Sequence, residues 1–253
     1  MRLVDAEEAA RLLPALYERV HREVPGMLAR SDTWWRRRVL YDPPHRRGDA
    51  SALIFVVHED AGGVVQGTLT YRRIGRPFAA TPPRIVISAL TTASDDAFQA
   101  LWRYVAGIDL IGEIETWNRP VDDPLAWLLE DRRKLRQIVR DALWIRVMDV
   151  AAALAGRRYA AAGKLVLRVE DALCPWNDGT FALDGGPDGA TCVATQASPE
   201  LIVPIETLGA LYLGGNSAHV LARAGRLAGD EAAVARAHAM FGWAPAPWCP
   251  EIF

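Results

Sequence analysis

The residues of this chain able to carry chemistry are three cysteines, five histidines and one arginine–glycine turn, and their spacing argues mostly against chemistry. Cys174, Cys192 and Cys249 stand too far apart for a C-x-x-C metal or redox site, and an odd number does not close a disulfide framework. Cys174, beside Pro175 and Trp176, reads as a packed thiol and not a nucleophile. His21, His45, His58, His219 and His238 show neither metal-ligand spacing nor a Ser/His/Asp or Cys/His arrangement, so no metal site is expected. The turn Arg72-Arg73-Ile74-Gly75-Arg76-Pro77 is the nearest thing to a loop whose backbone N–H groups cradle a phosphate at a helix start. Pro77 removes one of those donors, and residues 78–83 do not open a helix cleanly. We therefore expect no cofactor to be bound by this chain.

Composition narrows the partners. The chain has 253 residues, 51% hydrophobic and 24% charged, enough apolar material for a real core in one or two globular domains. Lysine and arginine number 29 against 31 acidic residues, so there is no basic field to draw in nucleic acid or an anionic membrane. The run Arg36-Arg37-Arg38 reads as a solvated helix face, with an anion site as the alternative. The first residues lack the apolar core and cleavage site of a signal peptide, and we expect a cytoplasmic protein without a membrane partner.

The elements that must position any site follow from periodicity and punctuation. Asp5 with Glu8 three residues on is a capping-box-like start, and Leu12, Leu13, Leu16, Tyr17 and Val20 line one face of a helix ended by Pro25 and Gly26. A second helix is expected after Ser31. Runs 51–57 and 64–74, joined across Gly62-Gly63, predict an antiparallel pair; 84–90 predicts a third strand. Phe98, Leu101, Trp102 and Val105 repeat at helical spacing, a further strand covers 111–117, and Asp122-Asp123-Pro124 opens a helix that buries Leu125, Leu128 and Leu129. Residues 143–148 read as a short strand running into a helix from Val150, a seam between two domains. Beyond it, strands at 165–169, 180–183 and 190–195 predict a small antiparallel sheet, followed by helices within 199–213, 217–224 and 230–240. Trp127, Trp144 and Trp176 are expected in the core. The tail, with Trp243, Trp248, Ile252 and Phe253 among three prolines, predicts an extended segment docked on an apolar surface.

The element order upstream of the seam is that of the GNAT acetyltransferase superfamily. Six segments together resemble one branch of it, the Eis-like ("enhanced intracellular survival") N-acetyltransferases. They are Leu16-Tyr17-Glu18-Arg19 with Val24-Pro25-Gly26-Met27; Arg119-Pro120-Val121-Asp122-Asp123-Pro124-Leu125; Leu143-Trp144-Ile145-Arg146-Val147-Met148-Asp149-Val150; Cys174-Pro175-Trp176-Asn177; Leu213-Gly214-Gly215; and Ala244-Pro245-Ala246-Pro247-Trp248. The resemblance covers essentially the whole chain in the same order. It implies an α/β (α+β) architecture: a degenerate GNAT-fold domain with a mixed sheet at residues 1–145, without a cofactor site, then a sterol-carrier-protein-2-like α+β domain at 146–253. The family's N-terminal domain, which holds acetyl-coenzyme A as cosubstrate, has no counterpart in this sequence.

The resemblance also implies a role for the end of the chain. In the family the last residue's main-chain carboxylate reaches the acceptor cleft of the first domain and takes a proton from the attacking amine. Phe253 is then the catalytic general base, and Glu251 is the candidate substrate-binding residue, adding negative potential that favours a polycationic amine; a solvated glutamate is the plainer reading. The implied function is the C-terminal two-domain portion of an N-acetyltransferase acting on aminoglycoside- or lysine-type amines, inactive alone. The implied partners are further copies of the chain in a homo-oligomer, an N-terminal GNAT domain in cis or trans, and a small-molecule amine acceptor. Two other functions stay open: a sterol-carrier-like module for an apolar ligand, and a structural role in assembly.

Overall fold

The computed structural model describes residues 1–75 and 81–251. They fall into two compact units, Met1–Ile138 with Trp248–Phe253, and Val139–Pro247. Residue 145, the boundary expected from the sequence, lies within the second.

The first unit is built on a five-stranded sheet in the order β1-β2-β3-β4-β5. Its strands are β1 (Arg2–Val4), β2 (Ile54–Glu59), β3 (Val65–Ile74), β4 (Arg84–Thr92) and β5 (Glu113–Thr116). The first four pair antiparallel and β5 runs parallel to β4. β1 was not expected, because three residues before a strong helix signal carry no period of their own. The helices are α1 (Ala6–Val20), α2 (Asp32–Trp34), which continues as a π-helical turn over Trp35–Val39, α3 (Asp95–Ala106) and α4 (Leu125–Leu128). Asp5, Ser31 and Ser94 each accept an N–H of the first helical turn, which satisfies donors that a helix start leaves open.

Period-two alternation along β2 sends neighbouring side chains to opposite faces. Phe55 joins Ala9, Leu13, Tyr17, Met27 and Trp35 in the cluster under α1 and α2. Val56 joins Leu69, Ile85, Ile87, Leu101, Trp102 and Val105 in the cluster under α3. The sheet is thus covered on both faces, which is why β3 reads as a nearly continuous buried run. The helix expected after Asp123 is a single turn. Asp123 accepts from Leu125 N, but Leu129 is already extended and Leu128 is exposed, so that helix packs only a partly buried Leu125 against the cluster under α3.

The second unit has its own five-stranded sheet, ordered β10-β9-β6-β7-β8. These strands are β6 (Gly163–Glu170), β7 (Gly179–Gly186), β8 (Gly189–Ala194), β9 (Leu201–Pro204) and β10 (Ala228–Gly229). β6 pairs antiparallel with β7 and parallel with β9, so the sheet is mixed where an antiparallel one was expected. Its helices are α5 (Val150–Ala155), α6 (Ile205–Tyr212), α7 (Ala218–Arg223) and α8 (Glu231–Phe241). Leu165, Leu167 and Val169 of β6 are buried with Leu154, Tyr159, Leu208, Ala237 and Phe241. Arg157 ties two helix ends together, donating to Tyr212 O and Phe241 O. Those C-terminal carbonyls carry the negative end of their helix dipoles, and so take a cation without a carboxylate partner.

Residues 143–148 are not a strand. Side chains of a neighbouring turn supply what strand pairing would have supplied. Asn177 Nδ2 donates to Val147 O and its Oδ1 accepts Val150 N; Trp176 Nε1 donates to Met148 O. Arg146 pairs with Asp171 at 2.6 Å. Trp127, Trp144 and Trp176, expected in the core, are 77%, 82% and 66% exposed; their aromatic type alone carried that expectation, and burial is decided by neighbours a local reading does not see. Among the described residues, no helix is long and apolar enough to cross a membrane.

Candidate functional site

In the first unit, β4 and β5 stay paired only from Arg84–Glu113 to Ile87–Thr116. Beyond that point β4 continues through Ser88 to Thr92 while the chain after β5 turns away. The turn is made at Asn118, whose φ of 54° is left-handed, a region that asparagine enters more readily than most residues. The result is a recess lined by residues 88–91 and 116–119, together with Tyr17, Arg30, Trp248 and Pro250. It is a small recess, with room of about 40 Å³, and is open to solvent.

The strap 248–251 is fastened beside this recess by four kinds of contact. Trp248 N donates to Pro25 O at 2.9 Å. Its indole Nε1 donates to Asn118 O and Oδ1 at 3.0 and 3.3 Å. Arg119 lies over the indole, 5.4 Å from the ring centroid, and is itself held by Asp123 at 2.7 Å and by Leu90 O at 2.7 Å. Cys249 is buried. Glu251 is only 7% exposed, and its Oε1 accepts from Arg30 Nε at 2.5 Å.

Arg30 is enclosed as well. Its guanidinium lies 4.0 Å from the ring centroid of Tyr17 and 4.9 Å from that of Trp35, and those two rings meet edge to face at 5.5 Å. Tyr17 donates its hydroxyl to Leu28 O at 2.9 Å, and burial pushes its pKa up to about 12, so it stays a neutral phenol. A cation set in the corner of two perpendicular aromatic rings, with a carboxylate at its edge, is compensated by three neighbours, which makes its burial affordable.

Of the residues singled out from the sequence, Phe253 lies outside the described residues. Glu251 is placed in the strap, with its carboxylate engaged by Arg30 instead of facing solvent. Arg30, Tyr17, Trp35, Asn118 and Arg119 escaped site assignment. Arg119 and Asp123 belong to one quoted segment, but the contact of Arg119 with Trp248 spans about half the chain and no local pattern announces it. The phosphate-type turn is described only in part: Arg72 Nη2 is bound to Asp42 and its Nη1 to Ser51 O, both at 2.7 Å, and Gly75 has φ 93°, whereas Arg76 and Pro77 lie outside the described residues. Cys174 is buried and 3.6 Å from Arg146 Nη2. Among the described residues, no three His, Cys, Asp or Glu side chains are grouped to hold a metal ion.

A mixed sheet whose parallel pair splays beyond its register, followed by a second mixed sheet flanked by helices, defines an acetyltransferase fold joined to a sterol-carrier fold. Residues 26–162 match the acetyltransferase (GNAT) domain and residues 150–250 the sterol carrier protein domain. The chain is 40% identical over 242 residues to an uncharacterized N-acetyltransferase of Streptomyces avermitilis, covering 94% of this chain and 58% of that one. It is 35% identical over 231 residues to the N-acetyltransferase Eis of Mycobacterium tuberculosis, covering 90% and 53%. The crystal structure of Eis1 from Mycobacterium abscessus superposes with a TM-score of 0.83 at 33% identity, over 100% of this chain and 62% of that one. The chain therefore belongs to the Eis-like family of GNAT N-acetyltransferases. It spans somewhat over half the length of these curated relatives.

Proposed function

We propose that this chain is the part of an amine N-acetyltransferase that delivers the catalytic base, comprising a GNAT-fold part at about 1–145 and a sterol-carrier-like part at 146–253. Acetyl passes from acetyl-coenzyme A to an amine of the aminoglycoside or lysine type. Acetyl-coenzyme A is held by a further GNAT domain and not by this chain, and the chain alone is inactive. The main-chain carboxylate of Phe253 takes the proton that an ammonium must lose before its nitrogen attacks a thioester, and a partly desolvated carboxylate has its pKa raised toward working pH. We also propose that the protein works as a homo-oligomer in the cytoplasm.

The observation that supports this reading is the fastening of 248–251. A strap tied down by Trp248 and Glu251 sets where the next residues begin, and two residues reach roughly 7 Å at most. The test is a thiol-release assay with acetyl-coenzyme A and an aminoglycoside, run on the chain alone and on the chain fused behind an acetyl-coenzyme A-binding GNAT domain of a relative. Turnover only in the fusion is expected. Equal turnover by the chain alone would overturn the division of labour, and no turnover in any active-domain fusion would overturn the function.

A further inference from the structure

Among the described residues, Arg30 is the one cation set in the corner of two aromatic rings that also bonds a carboxylate at the far end of the chain, and no step of the proposed chemistry uses it. Its side chain is 10% exposed and that of Glu251 8%, so the pair is shielded from the water and salt that make surface ion pairs weak. The bond runs through Nε, the edge of the guanidinium nearest the stem. The rest of the group is thereby left to Tyr17 and Trp35, whose rings stand at 84° to one another. A lysine ammonium has neither the plane nor that edge.

We propose that Arg30 is a positioning residue: through Glu251 it latches the strap 248–251 onto the first unit and so fixes the place from which the last residues of the chain act. The inference rests on the reading of Phe253 as general base, but the latch itself is measurable without it. Glu251 accordingly serves as an anchor and not as a contact for the acceptor amine. The consequence for catalysis follows from reach. General-base catalysis needs heavy atoms within hydrogen-bonding distance, and a displacement of about an ångström costs on the order of a hundredfold in rate. Unlatching the strap therefore lowers kcat, whereas the KM for acetyl-coenzyme A, held elsewhere, stays unchanged.

The experiment compares Glu251→Gln, Arg30→Gln and the exchange Arg30→Glu/Glu251→Arg with the parent chain. Glu251→Gln is nearly isosteric and leaves the Arg30 stack in place, so it serves if Arg30→Gln fails to fold, as judged by circular dichroism. Hydrogen exchange at the three amides of the strap, Trp248, Cys249 and Glu251, reads the latch directly. Loss of a charge-assisted buried bond should speed exchange there by about tenfold or more, with no change in β6 or α8. In the active fusion the same variants should lower kcat at constant KM for acetyl-coenzyme A, and the double exchange should recover part of it. Unchanged exchange in both single variants overturns the latch. Faster exchange with unchanged kcat overturns the positioning role. A parent fusion without activity counts against the proposed function, and hydrogen exchange then decides the latch alone.

Discussion

Arg30 and Glu251 stand 221 positions apart in the chain, yet their side chains meet at 2.5 Å with hardly any exposure to solvent. The pair joins the loop after α1 to the last described residue, and it sits within a ring of aromatic contacts that includes Tyr17 and Trp35. Removing one partner of such a pair leaves the other buried and uncompensated, which is worse than lacking both.

The strap depends on a left-handed residue. Asn118 at φ 54° presents both its main-chain and side-chain oxygens to the Trp248 indole. Asn118→Val forces a β-branched side chain into that region, and should cost roughly 1–3 kcal/mol in urea unfolding. Asn118→Gly relieves the backbone and loses only the weaker of the two oxygens, so it should cost less. Equal losses would mean that φ is not the constraint. Trp248→Phe keeps a ring against Arg119 and forfeits the N–H, with an expected loss of about 1 kcal/mol.

Asp171 should make the second unit acid-sensitive. Burial alone would push its carboxyl up, but the N–H groups of Cys174 and Leu173, the Asn177 amide and Arg146 together outweigh it and hold the carboxyl at about 2. A group whose folded pKa is depressed contributes stability that is present above its unfolded value, near 3.9, and lost as pH falls through the folded one. The melting-temperature gap between the parent and Asp171→Asn should therefore be full at pH 7 and shrink between about pH 4 and pH 2. A gap that did not change over that range would show that Asp171 is not ionised in the fold.

Close backbone approaches set two more limits. A Cβ added at Gly209 of α6 would fall on the carbonyl oxygen of Ile145, and one added at Gly185 of β7 would lie 2.6 Å from the Tyr159 ring. The first neighbour is backbone of the seam segment, fixed further by Asn177, and cannot rotate away. Gly209→Ala should thus cost about 1–3 kcal/mol by overpacking, and should loosen residues 143–148 in hydrogen exchange. Gly185→Ala should destabilise to a similar degree without affecting that segment. Tyr159→Phe at the same packing site loses the buried bond to Leu154 O at 2.8 Å, at about 1 kcal/mol.

The end of the chain gives the prediction most directly tied to function. If the Phe253 carboxylate is the base, adding residues after it, or deleting it, moves the charge. In the active fusion kcat should fall by about 10²–10⁴-fold, the usual contribution of a general base, with little change in melting temperature. Phe253→Leu keeps the carboxylate and should be mild. A verified C-terminal tag that left turnover untouched would assign the terminus to packing alone.

Local signals made much of the architecture legible. Asp5 and Ser31 are side-chain caps, and caps act within one turn, so the sequence shows them directly. Alternation in Leu165, Leu167 and Val169 likewise marks one buried face of β6, because the period of a strand is a property of its own backbone. The signal failed at 143–148, where β-rich composition suggested a strand. There the partner is a set of side chains from Asp171, Trp176 and Asn177, and no residue type in the segment itself encodes that. The single-turn α4 and the exposed Trp127, Trp144 and Trp176 failed for the same reason: burial is a relation between distant stretches.

By itself, then, the sequence determined the α/β character of both parts, the family through segments spread along the whole chain, and the docked nature of a tail rich in proline and tryptophan. Only the tertiary structure decided what the tail is docked to. Periodicity is set by bonds between near neighbours and can be read along the chain. The pairing of Arg30 with Glu251, or of Trp248 with Asn118, exists because folding brings together residues whose separation in sequence carries no information about their distance in space.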